Sequence, residues 1–200
     1  MKKGITGRFW MVFVLSVFFA SPVWGGVPTE KIKETTDKIL GVITRPDLKG
    51  PAKTAERRKL MRQYIDERFD WKEMSRRSLG RHWLNRTNQE KTTFIALFGK
   101  LLERTYLDKV EGYSGEKVDY LDETVDGDYG DVKVKISTLR QQEVDVEYRL
   151  QKKNNDWLVY DIYIEGVGLI NNYRVQFNSI ITRSSFNALV KRLEEKVSQE

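Results

Sequence analysis

The chain reads as an α+β protein built from an antiparallel sheet of about four strands and a cluster of helices. Three observations predict this. The apolar period is 3.6 through the first half, changes to 2 between "EKVDY" and "IYIEG", and returns to 3.6 at the end. The connections between the period-2 runs are short, which implies antiparallel pairing. Helices and strands therefore occupy separate stretches, the mark of an α+β fold.

The elements follow in order. "VPTEKIKETTDKILGVI" places Ile32, Thr36, Ile39, Leu40 and Ile43 on one helical face, with Thr29 as a candidate N-cap. "TRPDLKGP" is a loop, marked by Pro46, Gly50 and Pro51. "AKTAERRKLMRQYIDERF" resumes the helical period with Leu60, Tyr64, Ile65 and Phe69. In "DWKEMSRRSLGRHW", Asp70 is a candidate N-cap and Glu73 its capping-box partner, and the helix stops near Gly80. "TNQEKTTFIALFGKLLERTYLDKV" has a capping-box pair in Thr87 and Glu90. Its apolar stripe runs through Phe94, Leu97, Phe98, Leu101, Leu102 and Tyr106. Strands are predicted at "KVDYLDETV", "DVKVKIST", "EVDVEYRL" and "WLVYDIYI". The middle two have one dry and one wet face, and the last is covered on both. "KKNND" is a hairpin turn. "GLINNYRVQFNSIITRS" and "SSFNALVKRLEEKV" complete the chain as helices.

The N-terminus predicts the compartment. Lys2, Lys3 and Arg8 precede an apolar run, Phe9 to Ala20, that falls short of the ~20 residues of a spanning helix. "SPVWGG" follows, suited to cleavage after Gly25. The three parts read as a secretory signal peptide over 1–25, leaving a single domain over 26–200 in the periplasm; an uncleaved anchor is the alternative. With no cysteine, lipoprotein anchoring and disulfides are excluded. The full chain holds 35 basic and 29 acidic residues, and three of the basic ones lie in the signal. The mature surface is therefore mildly basic and well mixed, without the concentrated stripe of a nucleic-acid binder. About 175 residues suit one sizeable core.

Few groups offer chemistry. His82 is the one histidine, and it reads as a surface or packing residue. No G-x-S-x-G, H-E-x-x-H, EF-hand or Walker pattern appears, so no catalytic, metal or cofactor site is expected. The acids of "DYLDETVDGDYGD" do not fit a calcium loop and read as a solvated hairpin rim. "AERRKLMR" and "SRRSLGRH" are basic clusters; each reads as a solvated face or as a surface for acidic partners or lipid head groups. "IEGVGLINNYR" begins like a dinucleotide turn, with Gly166 and Gly168 between strand and helix. The preceding strands read as hairpins, however, and no strand returns afterwards. The glycines are better read as a tight strand-to-helix reversal.

These residues carry a resemblance. "DIYIEGVGLINNYRVQF" resembles the signature of the MlaC family, also called the toluene-tolerance family. The matching residues are Tyr160, Asp161, Glu165, Gly166, Val167, Leu169, Asn172, Tyr173, Arg174, Gln176 and Phe177, while Gly168 stands where serine is usual. "FDWKEMSRRSLGRHW" and "TNQEKTTFIALFGKLLERTY" resemble two upstream family segments. The resemblance implies a curved antiparallel sheet wrapped by helices, enclosing an apolar cavity for phospholipid acyl chains. It also implies a non-enzymatic carrier with phospholipid as cargo and no cofactor. Its implied partners are an outer-membrane lipoprotein–porin complex and an inner-membrane ABC transporter with an MCE-domain ring.

On that expectation the candidate pocket residues come from three places. Val134, Ile136, Val146, Tyr148 and Leu150 lie on the dry faces of the strands, and Leu101, Leu102 and Tyr106 on the long helix. Val167, Leu169, Tyr173 and Phe177 lie in and beyond the signature turn. Ordinary core packing is the alternative at each. The carrier is expected to act as a monomer. Two other classes stay open: an enzyme using a cavity acid such as Asp161, and an interaction module with a filled core.

Overall fold

The structure, a computed structural model, describes residues 26–137 and 142–198; the expected signal segment lies outside the described residues. Among the described residues there are six α-helices: α1 (Val27–Thr44), α2 (Thr54–Arg68), α3 (Trp71–Leu79), α4 (Asn88–Glu111), α5 (Leu169–Arg183) and α6 (Phe186–Ser198). The strands are β1 (Lys117–Asp126), β2 (Tyr129–Ser137), β3 (Glu143–Lys153), β4 (Asp156–Ile164) and β5 (Val167–Gly168). They form one antiparallel meander in the order β1-β2-β3-β4-β5. The α+β expectation holds. The fifth strand is a two-residue hairpin extension, too short to carry a periodic signal.

The helix starts separate local from long-range capping. Asp70 accepts from the Glu73 amide at 3.0 Å, and Thr87 with Glu90 completes a reciprocal capping box. Glu73 does not close a box with Asp70: the Asp70 amide donates to the Val159 carbonyl, and the Glu73 carboxylate is drawn to Arg76 and Arg77. Thr29 does not cap α1. It sits within the first turn, and its amide donates to the Glu123 carboxylate of β1 at 2.7 Å. A negative charge at the positive end of the helix dipole does what no side chain at Gly26 does.

Two irregularities shape the sheet. Register shifts between Tyr120 and Asp122, leaving Leu121 bulged and exposed. It shifts again on β4, where Leu150 pairs with Val159 and Arg149 with Asp161, so that Tyr160 is the extra residue. Such bulges bend and twist the strands that carry them. The β3–β4 turn places Asn154 and Asn155 at φ 49° and 65°, as a right-twisted two-residue hairpin demands. The β4–β5 turn repeats this with Glu165 and Gly166. Glu165 is held there from two sides. Its amide donates to the Asp145 carbonyl, and its carboxylate accepts from the Asp145 amide at 2.6 Å. The Gly-x-Gly stretch is thus a hairpin turn feeding α5, in a sheet with no parallel strand pair.

The buried apolar residues gather in three clusters, two of them joined through Phe69 and Ile162. The helix core joins α3, α4, α5 and α6 through Met74, Phe94, Phe98, Phe177 and Leu189. The sheet core places Val132, Val134, Leu150, Trp157 and Val159 against Ile32 of α1. A third cluster gathers Val42, Leu48, Met61 and Leu107 between α1, α2 and α4.

Candidate apolar ligand site

The seam between these cores is where partly exposed apolar groups collect. Phe69 and Ile162 are partly buried and pack against both the helix core and the sheet core. Ile162 is the cross-strand partner of Tyr148 on the inner face. Beside them on the sheet stand Val118, Tyr120 and Ile136, also partly buried. Tyr106 and Tyr173 stand on the helix side, with the Tyr173 ring edge-on to Phe98 at 5.2 Å.

The tyrosines carry an electrostatic signature of this seam. Tyr148 is so closely surrounded by protein that desolvation pushes its phenol up to about 12, with Tyr120 adding to the shift. Its side chain nevertheless keeps accessible surface. Tyr148 is thus a partly accessible ring in a mostly protein environment. Burial likewise raises Tyr120, Tyr106 and Tyr173, and Tyr173 adds to the shift of Tyr106. The Tyr120 hydroxyl is buried, with the Thr36 hydroxyl near it. Such rings offer large apolar area with a polar tip.

The structure sorts the sequence candidates. Tyr106, Ile136, Tyr148 and Tyr173 stand partly buried beside the cores. Leu101, Leu102, Leu169 and Phe177 are buried in the helix core, Val134 and Leu150 in the sheet core. Val146 is buried opposite Val134. Val167 is 60% exposed on β5 and belongs to none of the three cores. Sequence reasoning missed Val118, Tyr120 and Ile162. The β1 bulge breaks the alternation that would have placed Tyr120 inward, and Ile162 lies in a strand that reads as apolar on both faces.

The other chemical groups have local roles. Asp161 points to the face opposite Tyr148, where its carboxylate accepts the amides of Ile162 and Ile170, so it is no acid of the inner cleft. His82 Nε2 lies 2.9 Å from the Asn178 amide oxygen. Among the described residues no group of acids, histidines or cysteines is arranged to hold a metal ion.

A bent antiparallel meander packed against a helix cluster, with partly buried tyrosines where the two meet, defines the class of protein: an α+β fold with sheet and helices on separate sides. A family model described as MlaC protein matches residues 33–195, and the chain belongs to the MlaC family. An intermembrane phospholipid transport system binding protein from Haemophilus influenzae is 21% identical over 126 residues. That alignment covers 60% of this chain and 59% of the relative, so the match spans less than two thirds of the curated protein. The solved structure of a phospholipid-binding protein from Ralstonia solanacearum, in complex with a phospholipid, is also similar. It is 29% identical with a TM-score of 0.78, covering 86% of this chain and 97% of that one.

Proposed function

We propose that this protein is a periplasmic phospholipid carrier of an Mla-type transport system. In this reading its signal peptide is removed after Gly25 and the domain over 26–200 works as a monomer. It passes lipid between an outer-membrane lipoprotein–porin complex and the MCE-domain ring of an inner-membrane ABC transporter. The observation that carries the reading is the band of partly buried apolar and tyrosine side chains, Phe69 and Ile162 among them, where the helix core meets the sheet core. Family membership and the lipid-bound neighbour support it. Tyr106, Tyr120, Ile136, Tyr148, Ile162 and Tyr173 are the proposed acyl-chain wall, and no residue acts catalytically.

The physics of cargo fits this design. Two acyl chains of about 15 methylenes each cost roughly 24 kcal/mol to expose to water, at ~0.8 kcal/mol per methylene. Spontaneous release is thus negligible, whereas transfer to another dry site is near neutral. Direction then comes from the docked partners. Mass spectrometry of organic extracts from periplasmically expressed protein tests the proposal. Near-stoichiometric diacyl phospholipid is expected on a chain beginning at Gly26. Apo protein, under conditions where a control carrier keeps its lipid, would show the reading to be wrong.

A further inference from the structure

The two basic clusters have different fates. Arg57, Arg58 and Arg62 of α2 all turn inward onto acids of α4. Arg57 and Arg58 pair with Glu111, Arg58 also with Asp108, and Arg62 with Glu103. That cluster is a structural clasp. The second cluster opens onto a concavity of about 570 Å³ on the outer side of β4, beyond the sheet from Tyr148. Arg76, Arg77 and Arg81 reach it from α3 and the turn after it, Arg149 from β3 and Arg174 from α5. Asp161, 8% exposed, is the one carboxylate in the lining.

Among the described residues, three of the five arginines share acidic partners and two do not. The Arg77 guanidinium lies 4.0 Å over the Tyr160 ring and that of Arg149 4.0 Å over the Tyr163 ring. A guanidinium covered on its face keeps its edge, where the paired N–H donors fit a carboxylate. Glu73 engages Arg76 and Arg77, and Glu147 engages Arg149. Arg81 and Arg174 have no acidic partner among the described residues; Arg81 has a 3.4 Å contact with the Asn178 amide oxygen. A neighbouring concavity shares Arg81, Asn171 and Arg174, making one continuous surface. Its lining includes Leu84, 80% exposed, and Val175, 63% exposed, side chains that the fold leaves in water.

We infer that this surface is a docking site for a partner protein, taking a segment that carries carboxylates beside an apolar side chain. Arginine, aromatic rings and exposed aliphatic groups side by side are the composition of a protein interface core. The concave shape suits side chains rather than a bilayer plane. Tails held against Tyr148 would lie across the sheet from Arg149. The inference rests on the carrier reading for its biological sense, since a carrier must dock, but its test does not.

The test is a titration of the ¹⁵N-labelled mature protein, purified with its natural cargo. The probe is acetyl-Leu-Glu-Asp-Leu-amide, and the controls are acetyl-Leu-Lys-Lys-Leu-amide, inorganic phosphate and phosphatidylglycerol vesicles. The acidic peptide is expected to move amides of residues 80–84, 160–162 and 170–175, and added salt should weaken it. Arg81→Glu with Arg174→Glu should weaken binding roughly tenfold or more, since both partners of a carboxylate are reversed in sign. Both side chains are exposed, so melting and co-purified phospholipid should not change; Arg81→Gln alone should show a smaller loss. Equal shifts from the basic peptide, or unchanged binding in the double variant, would overturn the site. So would saturation by phosphate at lower concentration, or vesicle binding that the double variant abolishes while the peptide gives no shifts. Absence of phospholipid from the wild-type protein would instead remove the carrier reading and leave the peptide result standing.

Discussion

Asp161 on β4 accepts the backbone amide of Ile170, in the first turn of α5, at 3.1 Å. The same oxygen accepts the Ile162 amide at 2.8 Å. α5 has no capping side chain of its own, because Gly168 occupies the N-cap. One carboxylate thus joins the bulged strand to the helix that carries Tyr173. Replacing Asp161 by Ala should cost about 1–2 kcal/mol, the range for loss of an N-cap acceptor, in guanidinium melts.

The pH dependence of that link has a definite sign. Burial raises the Asp161 carboxyl, against the opposing pull of the two amides and then of Arg149 and Arg77. A folded-state value above the unfolded one means the native protein holds the proton more tightly. Stability from this group is therefore fully present below the unfolded value and is lost as pH rises through the folded one. The wild type's advantage over Asp161→Asn should shrink as pH rises through and above the ordinary carboxylate range. A gap that widens over that interval would show that burial is not the dominant influence.

Tyr148 gives a second titration. Its phenol ionises near 12 in the folded protein against about 10 when unfolded. The neutral ring therefore contributes stability below pH ~10 that disappears as pH rises toward the folded value, roughly 3 kcal/mol in all. Ultraviolet titration should show a late-ionising phenol that Tyr148→Phe removes. Stripping the cargo should lower its midpoint, as water enters the cleft and relieves desolvation.

These links explain what was legible in the sequence. Local signals were: the Thr87–Glu90 box, the Asn154–Asn155 turn and the alternation of β2 and β3 all lie within a few residues of one another. Long-range substitutions for local chemistry were not. Glu123 caps α1 across 94 positions, and Asp161 caps α5 from a strand. The bulges at Leu121 and Tyr160 shift the alternation by one residue, which flips the following side chains to the other face. The pocket candidates were chosen as dry-face residues, and period alone does not separate a filled core from the wall of a seam.

Gly168 stands where the family resemblance places serine. A Cβ there would lie 2.9 Å from Cζ of Tyr163, the ring stacked under Arg149. The backbone itself, at φ −69°, tolerates any residue, so the constraint is the ring. Gly168→Ser should cost about 1–3 kcal/mol by overpacking. Tyr163→Leu should recover most of that loss, and a double-mutant cycle by chemical denaturation should show the coupling. Additive losses would mean that the ring moves aside freely.

The last prediction separates the seam from the cores. Val134 is 2% exposed within the sheet core, whereas Tyr148 borders the seam with surface still accessible. A carboxylate at Val134 has no route to water and no partner, so Val134→Asp should lose on the order of 4 kcal/mol or more, enough to unfold a marginal domain. A carboxylate in Tyr148→Glu can turn toward the cleft and hydrate there. That variant should melt cooperatively, but the water it draws into the seam removes the dry surface that acyl chains need. Val167→Asp, on an exposed side chain, should alter neither property. Thermal melts and organic extraction on the same three samples read both quantities at once. The expected pattern is unfolded for the first, folded without phospholipid for the second and wild-type for the third. If Tyr148→Glu unfolds as Val134→Asp does, the two cores close on each other and the tyrosine seam is filled. If it keeps its phospholipid, the acyl chains lie against some other face.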